Sequence, residues 1–147
     1  MNRGRRLAAV AGTLGLGIAG VLFAGAGAAS ANTIGGGGDQ DFCGEELCLY
    51  YYDNGAGAMW YSDATQWNDL AGQTFIEGPT TTGDDGVGSQ VKNHAQSAAT
   101  TSSTGIYIYY NSEAYGWGAY DYLLPDDAGN LVTTWNNEAS YSVNNYG

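Results

Sequence analysis

Basic residues are scarce in this chain of 147 residues, which has four Lys and Arg against 15 Asp and Glu. Three of the four, Arg3, Arg5 and Arg6, stand at the N-terminus. Residues 32–147 therefore keep Lys92 alone against all 15 carboxylates, a net charge of −14. Such a surface repels phosphate backbones and anionic lipid, so the composition argues against nucleic-acid and membrane-surface binding.

Histidine is limited to His94, and there are two cysteines. A Ser-His-Asp device would depend on that one histidine, and a zinc site would need more ligands than these three residues supply. The glycine run at residues 35–38 lacks the lysine and the helix of a phosphate-binding loop. We therefore predict a protein that is not an enzyme.

The first 31 residues have the pattern of a secretory signal peptide. A basic start is followed by the apolar run Leu7–Ala28, and Ala29-Ser30-Ala31 has the form of a cleavage site. The alternative is an N-terminal membrane anchor, for which the run is nearly long enough. We expect export by the Sec route rather than the twin-arginine route, and a secreted monomer that begins at Asn32.

One segment lies between the predicted cleavage site and the folded domain, which is expected to begin at Cys43. Residues 32–42 (NTIGGGGDQD and Phe42) predict a flexible leader, because glycine and polar residues dominate them. Cys43 and Cys48 then stand close together in CGEELC. In an oxidising extracellular compartment two such cysteines are expected to form a disulfide.

Tyrosine-rich sequence occurs twice, in LCLYYYDNGAGAMWY (47–61) and in YIYYNSEAYGWGAY (107–120). A shift of 59 residues places Tyr50 on Tyr109 and Gly57 on Gly116. In each copy an alternating aromatic run enters a Gly/Asn/Ser turn and resumes, which is typical of a β-hairpin. The chain is therefore predicted to use one β unit twice.

Eight short strands without a sustained helical period predict an all-β sandwich of two Greek keys, at about residues 43–95 and 105–147. Within the units, strands are expected near Gln73–Ile76 and Leu131–Trp135, with a turn at PDDAGN (125–130). Residues 94–104 are expected to be a polar connector.

The arrangement resembles a known family. The sequence is similar to the peptidase inhibitor I36 family of actinobacterial secreted proteins. The similarity is carried by the cysteine pair, LCLY (47–50), GAMW (57–60), S-x-V-x-N in Ser89–Asn93, and Ser140–Asn145. That family is related to the Streptomyces metalloproteinase inhibitor and has a βγ-crystallin-like fold. The resemblance covers about Cys43–Asn145.

The resemblance implies two activities. One is inhibition of an extracellular protease, metallo- or serine, through an exposed loop, for which the sequence offers Glu77–Gly88 and Leu124–Asn130. The other is calcium binding in crystallin-type turns, whose ligands would be Asp84, Asp85, Ser89, Asn136, Asn137 and Ser140. The first turn has an alternative register, Asp85–Gln90.

Proteinase inhibition is the leading functional prediction. The alternatives are a calcium-binding or structural extracellular module and, third, a carbohydrate-binding module. Four tryptophans and twelve tyrosines are compatible with a sugar-stacking face, although such residues also fill small β cores.

Overall fold

The computed structural model of the protein describes residues 30–36, 43–44, 46–63 and 68–146. Within them the backbone forms nine short strands and two single 3₁₀ turns, at Asp53–Gly55 and Glu113–Tyr115. The strands are β1 (Ala31–Ile34), β2 (Leu47–Tyr50), β3 (Met59–Ser62), β4 (Asn68–Asp69), β5 (Ser97–Thr100), β6 (Ile106–Tyr109), β7 (Tyr120–Leu123), β8 (Asp127–Asn130) and β9 (Ser140–Ser142). They form two sheets, so the predicted all-β, two-sheet class is confirmed.

The two units exchange one strand each. The four-stranded sheet has the order β3-β2-β5-β8, and the five-stranded sheet has the order β1-β7-β6-β9-β4. The first unit, β2 to β5, thus places its third strand beside the second unit, β6 to β9, and the second unit does the reverse. Neither unit can complete its sheet without the other.

The repeat is present with a corrected register. Tyr50 and Tyr109 both end the first strand of their unit and are both buried. The following hairpins differ in length, because the Tyr51 amide donates to Ala58 whereas the Tyr110 amide donates to Ala119. The second hairpin is two residues longer, so the counterpart of Gly57 is Gly118 and not Gly116.

Three strands lie where the sequence predicted other structure. The fourth strand of the first unit, β5, lies inside the predicted connector, so this unit extends beyond residue 95. Its third strand is β4, whereas residues 73–76 form only isolated bridges among the described residues. In the second unit the third strand, β8, occupies the predicted turn after Pro125.

The buried carboxylate of Asp121 explains why residues 131–134 turn instead of forming the predicted strand. Its oxygens accept hydrogen bonds from the amides of Val132 (3.0 Å), Thr133 (3.0 Å) and Thr134 (2.9 Å). Three successive amides bonded to one side chain cannot pair with a neighbouring strand. The segment therefore wraps around Asp121.

The N-terminal strand departs from the predicted leader. β1 pairs in parallel with β7, and Ile34 is buried in the core. Residues 32–34 are thus strand, while residues 37–42 lie outside the described residues, as do residues 1–29 of the predicted signal peptide. Cleavage after Ala31 would leave three of the four β1 residues in place.

The hydrophobic core lies between the two sheets, and the disulfide lies beside it. The inward side chains are aliphatic and aromatic: Leu47, Leu49, Leu70, Phe75, Val91, Ile106, Ile108 and Leu123. The predicted disulfide between Cys43 and Cys48 is present, with a Cα–Cα distance of 5.8 Å. It packs with Tyr50, Ala99 and Ala128 in a second buried cluster.

Candidate functional site

The loop Glu77–Gly88 is exposed at its crest and anchored at its base. Pro79, Thr81 and Val87 are exposed, and Val87 is 51% accessible. The Gly78 amide donates to the Gly83 carbonyl at 2.8 Å and closes the crest. Two further turns are closed by hydrogen bonds from the Gly83 amide to the Thr80 carbonyl and from the Val87 amide to the Asp84 carbonyl. The loop is a chain of closed turns.

This loop is also docked on the first hairpin. The Ala58 amide donates to the Asp85 carbonyl at 2.8 Å, and the Gly57 amide donates to the Thr82 hydroxyl at 3.2 Å. Gly86 has φ +96°, and a β-carbon there would overlap the ring of Tyr51. Backbone bonds and close glycine packing thus brace a loop that lacks a disulfide.

The second loop proposed from the sequence, Leu124–Asn130, is not a free loop. Asp127–Asn130 is strand β8, which pairs with β5 across the sheet. Ala128 is buried, and Leu124 to Asp126 remain as a tight turn in which Asp126 has φ +50°. The candidate for inhibitory contact is therefore Glu77–Gly88 alone.

Two turns from different units meet by reciprocal hydrogen bonds. The Asn93 amide donates to the Glu138 carbonyl, and the Asn136 amide donates to the Ala95 carbonyl, both at 2.9 Å. Asn93 and Asn136 also share a positive φ, 66° and 53°. Residues 93–97 and 136–140 are therefore equivalent turns.

The serines that end these turns confirm the equivalence. Ser97 and Ser140 are both buried, and each donates its hydroxyl to a hairpin carbonyl of its own unit. The acceptors are the carbonyls of Tyr52 (2.6 Å) and Asn111 (2.7 Å). Sequence reasoning did not identify the first turn, although Asn93–Ser97 and Asn136–Ser140 share the spacing N-x-x-x-S.

The predicted calcium ligands lie in two separate turns, and calcium binding by either turn stays a prediction. Asp84 and Asp85 are exposed in the docked loop, and no backbone hydrogen bond joins residues 84–89 to residues 136–140 in the described structure. The true counterpart of Asn136–Ser140 is Asn93–Ser97, which has no carboxylate. In the described parts of the chain, no three His, Cys, Asp or Glu side chains are placed to hold a metal ion.

A polar cavity of about 240 Å³ opens beside the paired turns. We call it the Lys92 pocket, after the basic residue in its wall. Its other polar and aromatic lining residues are Asn93, Asn111, Ser112, Tyr110, Tyr115 and Asn137. No carboxylate lines it in the described chain, so the pocket does not fit a calcium ion.

Because the turn 93–97 and the Lys92 pocket contain no carboxylate, we expect no calcium-specific stabilisation from either of them. Millimolar calcium and magnesium, compared at equal ionic strength, should raise the melting temperature of the protein equally, because both ions screen its negative charge. A ligand that binds the folded state at a specific site would add to this shift. A distinctly larger rise with calcium would contradict the assignment of these turns as purely structural.

Glu138 lies buried where the two turns meet. Its Oε1 accepts hydrogen bonds from the amides of His94 (2.9 Å) and Ala95 (2.8 Å). Its Oε2 has no hydrogen-bond partner in the described structure. Burial raises the pKa of this carboxyl from 4.5 to about 7, although the backbone hydrogen bonds lower it. The carboxyl is thus a titratable group inside the junction of the two units.

The aromatic residues divide between core and surface. Trp60 and Trp117 are buried, Trp135 is 47% exposed, and Trp67 lies outside the described residues. On the outer face of the five-stranded sheet, the ring of Tyr107 contacts those of Tyr120 (5.3 Å) and Tyr122 (4.6 Å). Of the three adjacent tyrosines in the first hairpin, Tyr52 is the most exposed.

The exposed His94 ring lies beside its own turn, with Nδ1 2.9 Å from the Lys92 carbonyl oxygen. Among the described residues, no helix is long and apolar enough to cross a membrane.

Comparison with protein-family models, with curated proteins and with solved structures gave no match to this chain.

Proposed function

We propose that the protein is an exported proteinase inhibitor of the I36 type, built as two Greek keys with a βγ-crystallin-like arrangement. The exchange of third strands between the units supports this fold, as does the equivalence of the two serine-ended turns. The disulfide is compatible with an oxidising compartment. Export itself stays a prediction, since residues 1–29 lie outside the described residues.

The observation that carries inhibition is the braced loop Glu77–Gly88. A loop inhibitor gains affinity when its contact surface is ordered before binding, because the entropy cost of ordering the loop then does not weaken the binding. Here the turn bonds and the docking on the first hairpin order the loop in the free protein. The apolar side chain of Val87 projects from it and suits a protease specificity pocket.

The same geometry should make the loop resist cleavage. Proteases cut segments that bind in an extended form, whereas the amides of Val87 and Ser89 close turns back to Asp84 and Gly86. Hydrolysis near Val87 requires these turns to open, and the docked loop opposes that opening. We therefore expect slow cleavage of a bound chain rather than rapid digestion.

The test is the residual activity of thermolysin-like metalloproteases and subtilisin-like serine proteases with a fixed excess of the protein. Partial inhibition of at least one class is expected, with a slow single cut inside residues 77–88 by mass spectrometry. Full protease activity with the chain left uncut would remove the proposal and favour a structural module.

A further inference from the structure

Tyr107 and Tyr122 form a close pair on the outer face of the five-stranded sheet. They are register partners on the adjacent antiparallel strands β6 and β7. Hydrogen-bonded and non-bonded pairs alternate along such a ladder, and the Tyr110 amide bonds to Ala119, so Tyr107 and Tyr122 are a non-bonded pair. Side chains lie closest together at non-bonded pairs, and these two ring centroids are 4.6 Å apart.

The position of the Tyr122 ring is fixed by the backbone beside it. A β-carbon at Gly105 would overlap the ring and the hydroxyl of Tyr122, so this side chain lies directly on the glycine. Burial, followed by the nearby hydroxyls of Tyr122 and Tyr120, raises the pKa of Tyr107 above its usual value. The hydroxyl ends of Tyr107 and Tyr122 thus lie near each other, as their rings do.

Three tyrosine pairs in the described chain combine ring contact with partial exposure of both rings. In two of them, Tyr107–Tyr120 and Tyr51–Tyr52, the planes are 71° and 67° apart, so the edge of one ring meets the face of the other. The planes of Tyr107 and Tyr122 are 38° apart, and their centroid distance is the shortest of the three. This pair is therefore the best placed for a reaction that joins two ring edges.

Two phenol rings in contact can be coupled by one-electron oxidation. The oxidant removes one electron and the hydroxyl proton from each ring, and the two radicals form a carbon–carbon bond between positions next to the hydroxyl groups. The hydrogen on each of these carbons then moves to the oxygen as a proton, which restores both phenols. Hydrogen peroxide takes up the two electrons and the two protons that were removed and becomes two water molecules.

We propose that Tyr107 and Tyr122 are such a modification site, at which a haem peroxidase and hydrogen peroxide couple the two rings into dityrosine. The bond would join β6, the central strand of the five-stranded sheet, to its neighbour β7. It would also close a loop of residues 107–122 and so restrict the unfolded chain, as a disulfide does. The site is separate from the loop Glu77–Gly88 and does not depend on inhibition.

The experiment treats the purified full chain, at low concentration, with a haem peroxidase and hydrogen peroxide. The expected product is a monomer that has lost two hydrogen atoms and shows dityrosine fluorescence. Digestion at aspartate and glutamate cuts at Glu113, between the two tyrosines, so mass spectrometry should find joined peptides that contain Tyr107 and Tyr122. The melting temperature should rise by roughly 10 °C, because a loop of this length is closed.

Tyr122→Phe keeps the ring but has no hydroxyl, so this variant should fold and form no such cross-link. Tyr115→Phe is the matched control, because Tyr115 is 80% exposed and lies outside the pair. This variant should cross-link like the parent. The proposal is overturned if the treated parent yields only cross-linked dimers, no monomer that has lost two hydrogen atoms, or joined peptides from another tyrosine pair. It is also overturned if Tyr122→Phe cross-links as readily as the parent, or if cross-linking leaves the melting temperature of the parent unchanged.

Discussion

Replacing Gly86 with alanine is expected to lower the free energy of unfolding by about 3 kcal/mol. A positive φ costs an L-residue roughly 1–2 kcal/mol, and overfilling a packed site costs roughly 1–3 kcal/mol. Both apply, because Gly86 has φ +96° and its added β-carbon would overlap the Tyr51 ring. Tyr51 in turn packs edge-on against the core residue Phe75. In the Gly86→Ala variant the loop Glu77–Gly88 should therefore separate from the first hairpin.

Gly88→Ala separates the two causes. Gly88 has φ +80°, but nothing lies within 4 Å of the position that its β-carbon would take. The expected loss is the conformational cost alone, about 1 kcal/mol. Urea unfolding of the parent and the two variants measures the difference. Equal losses would mean that the loop is not packed on Tyr51.

The second large effect is a loss of stability with rising pH, caused by Glu138. The folded-state pKa of its carboxyl is about 7, whereas the unfolded chain has the ordinary value of 4.5. The folded protein therefore binds more protons between these values. The contribution of Glu138 to the free energy of unfolding is therefore complete below pH 4.5 and is lost as the pH rises through 7. The shift in pKa corresponds to a loss of about 3 kcal/mol in the free energy of unfolding by pH 8.

Glu138→Gln should remove this dependence, because the amide oxygen can still accept the bonds from His94 and Ala95 and does not ionise. Glu113→Gln is the control, since Glu113 is exposed and its removal changes the net charge equally. Unfolding free energies of the three proteins from pH 5 to pH 8 provide the comparison. If Glu138→Gln loses as much stability as Glu113→Gln over this range, Glu138 does not titrate as described.

The fold class could be predicted because aromatic residues alternate along the strands of both hairpins. Tyr50 and Tyr109 mark equivalent strand ends, and their spacing revealed the repeat. By contrast, β5 (SAAT) and β8 (DAGN) consist of small and polar residues, which are typical of connectors and turns. β8 becomes a strand because it pairs with β5 of the opposite unit, and β5 lies between β8 and β2 of its own unit. Such long-range pairing leaves no local pattern in the sequence.

The site was harder to predict for a related reason. The loop Glu77–Gly88 was recognised from its turn-forming residues, but its bracing depends on contacts with Gly57 and Ala58, about 25 residues away. The Lys92 pocket joins a turn of the first unit to the hairpin of the second. Glu138 resembles any surface acid in the sequence, and its burial follows only from the docking of the two turns.

The most direct test of inhibition through the loop compares two exposed valines. Val87 projects from the loop, whereas Val132 is 63% exposed in the turn around Asp121. Serine at either position should leave folding intact, because neither side chain is buried. The measurement is the inhibition constant of the parent, Val87→Ser and Val132→Ser against the most strongly inhibited protease of the panel. The account predicts weaker inhibition by Val87→Ser and unchanged inhibition by Val132→Ser; equal inhibition by all three proteins would contradict it.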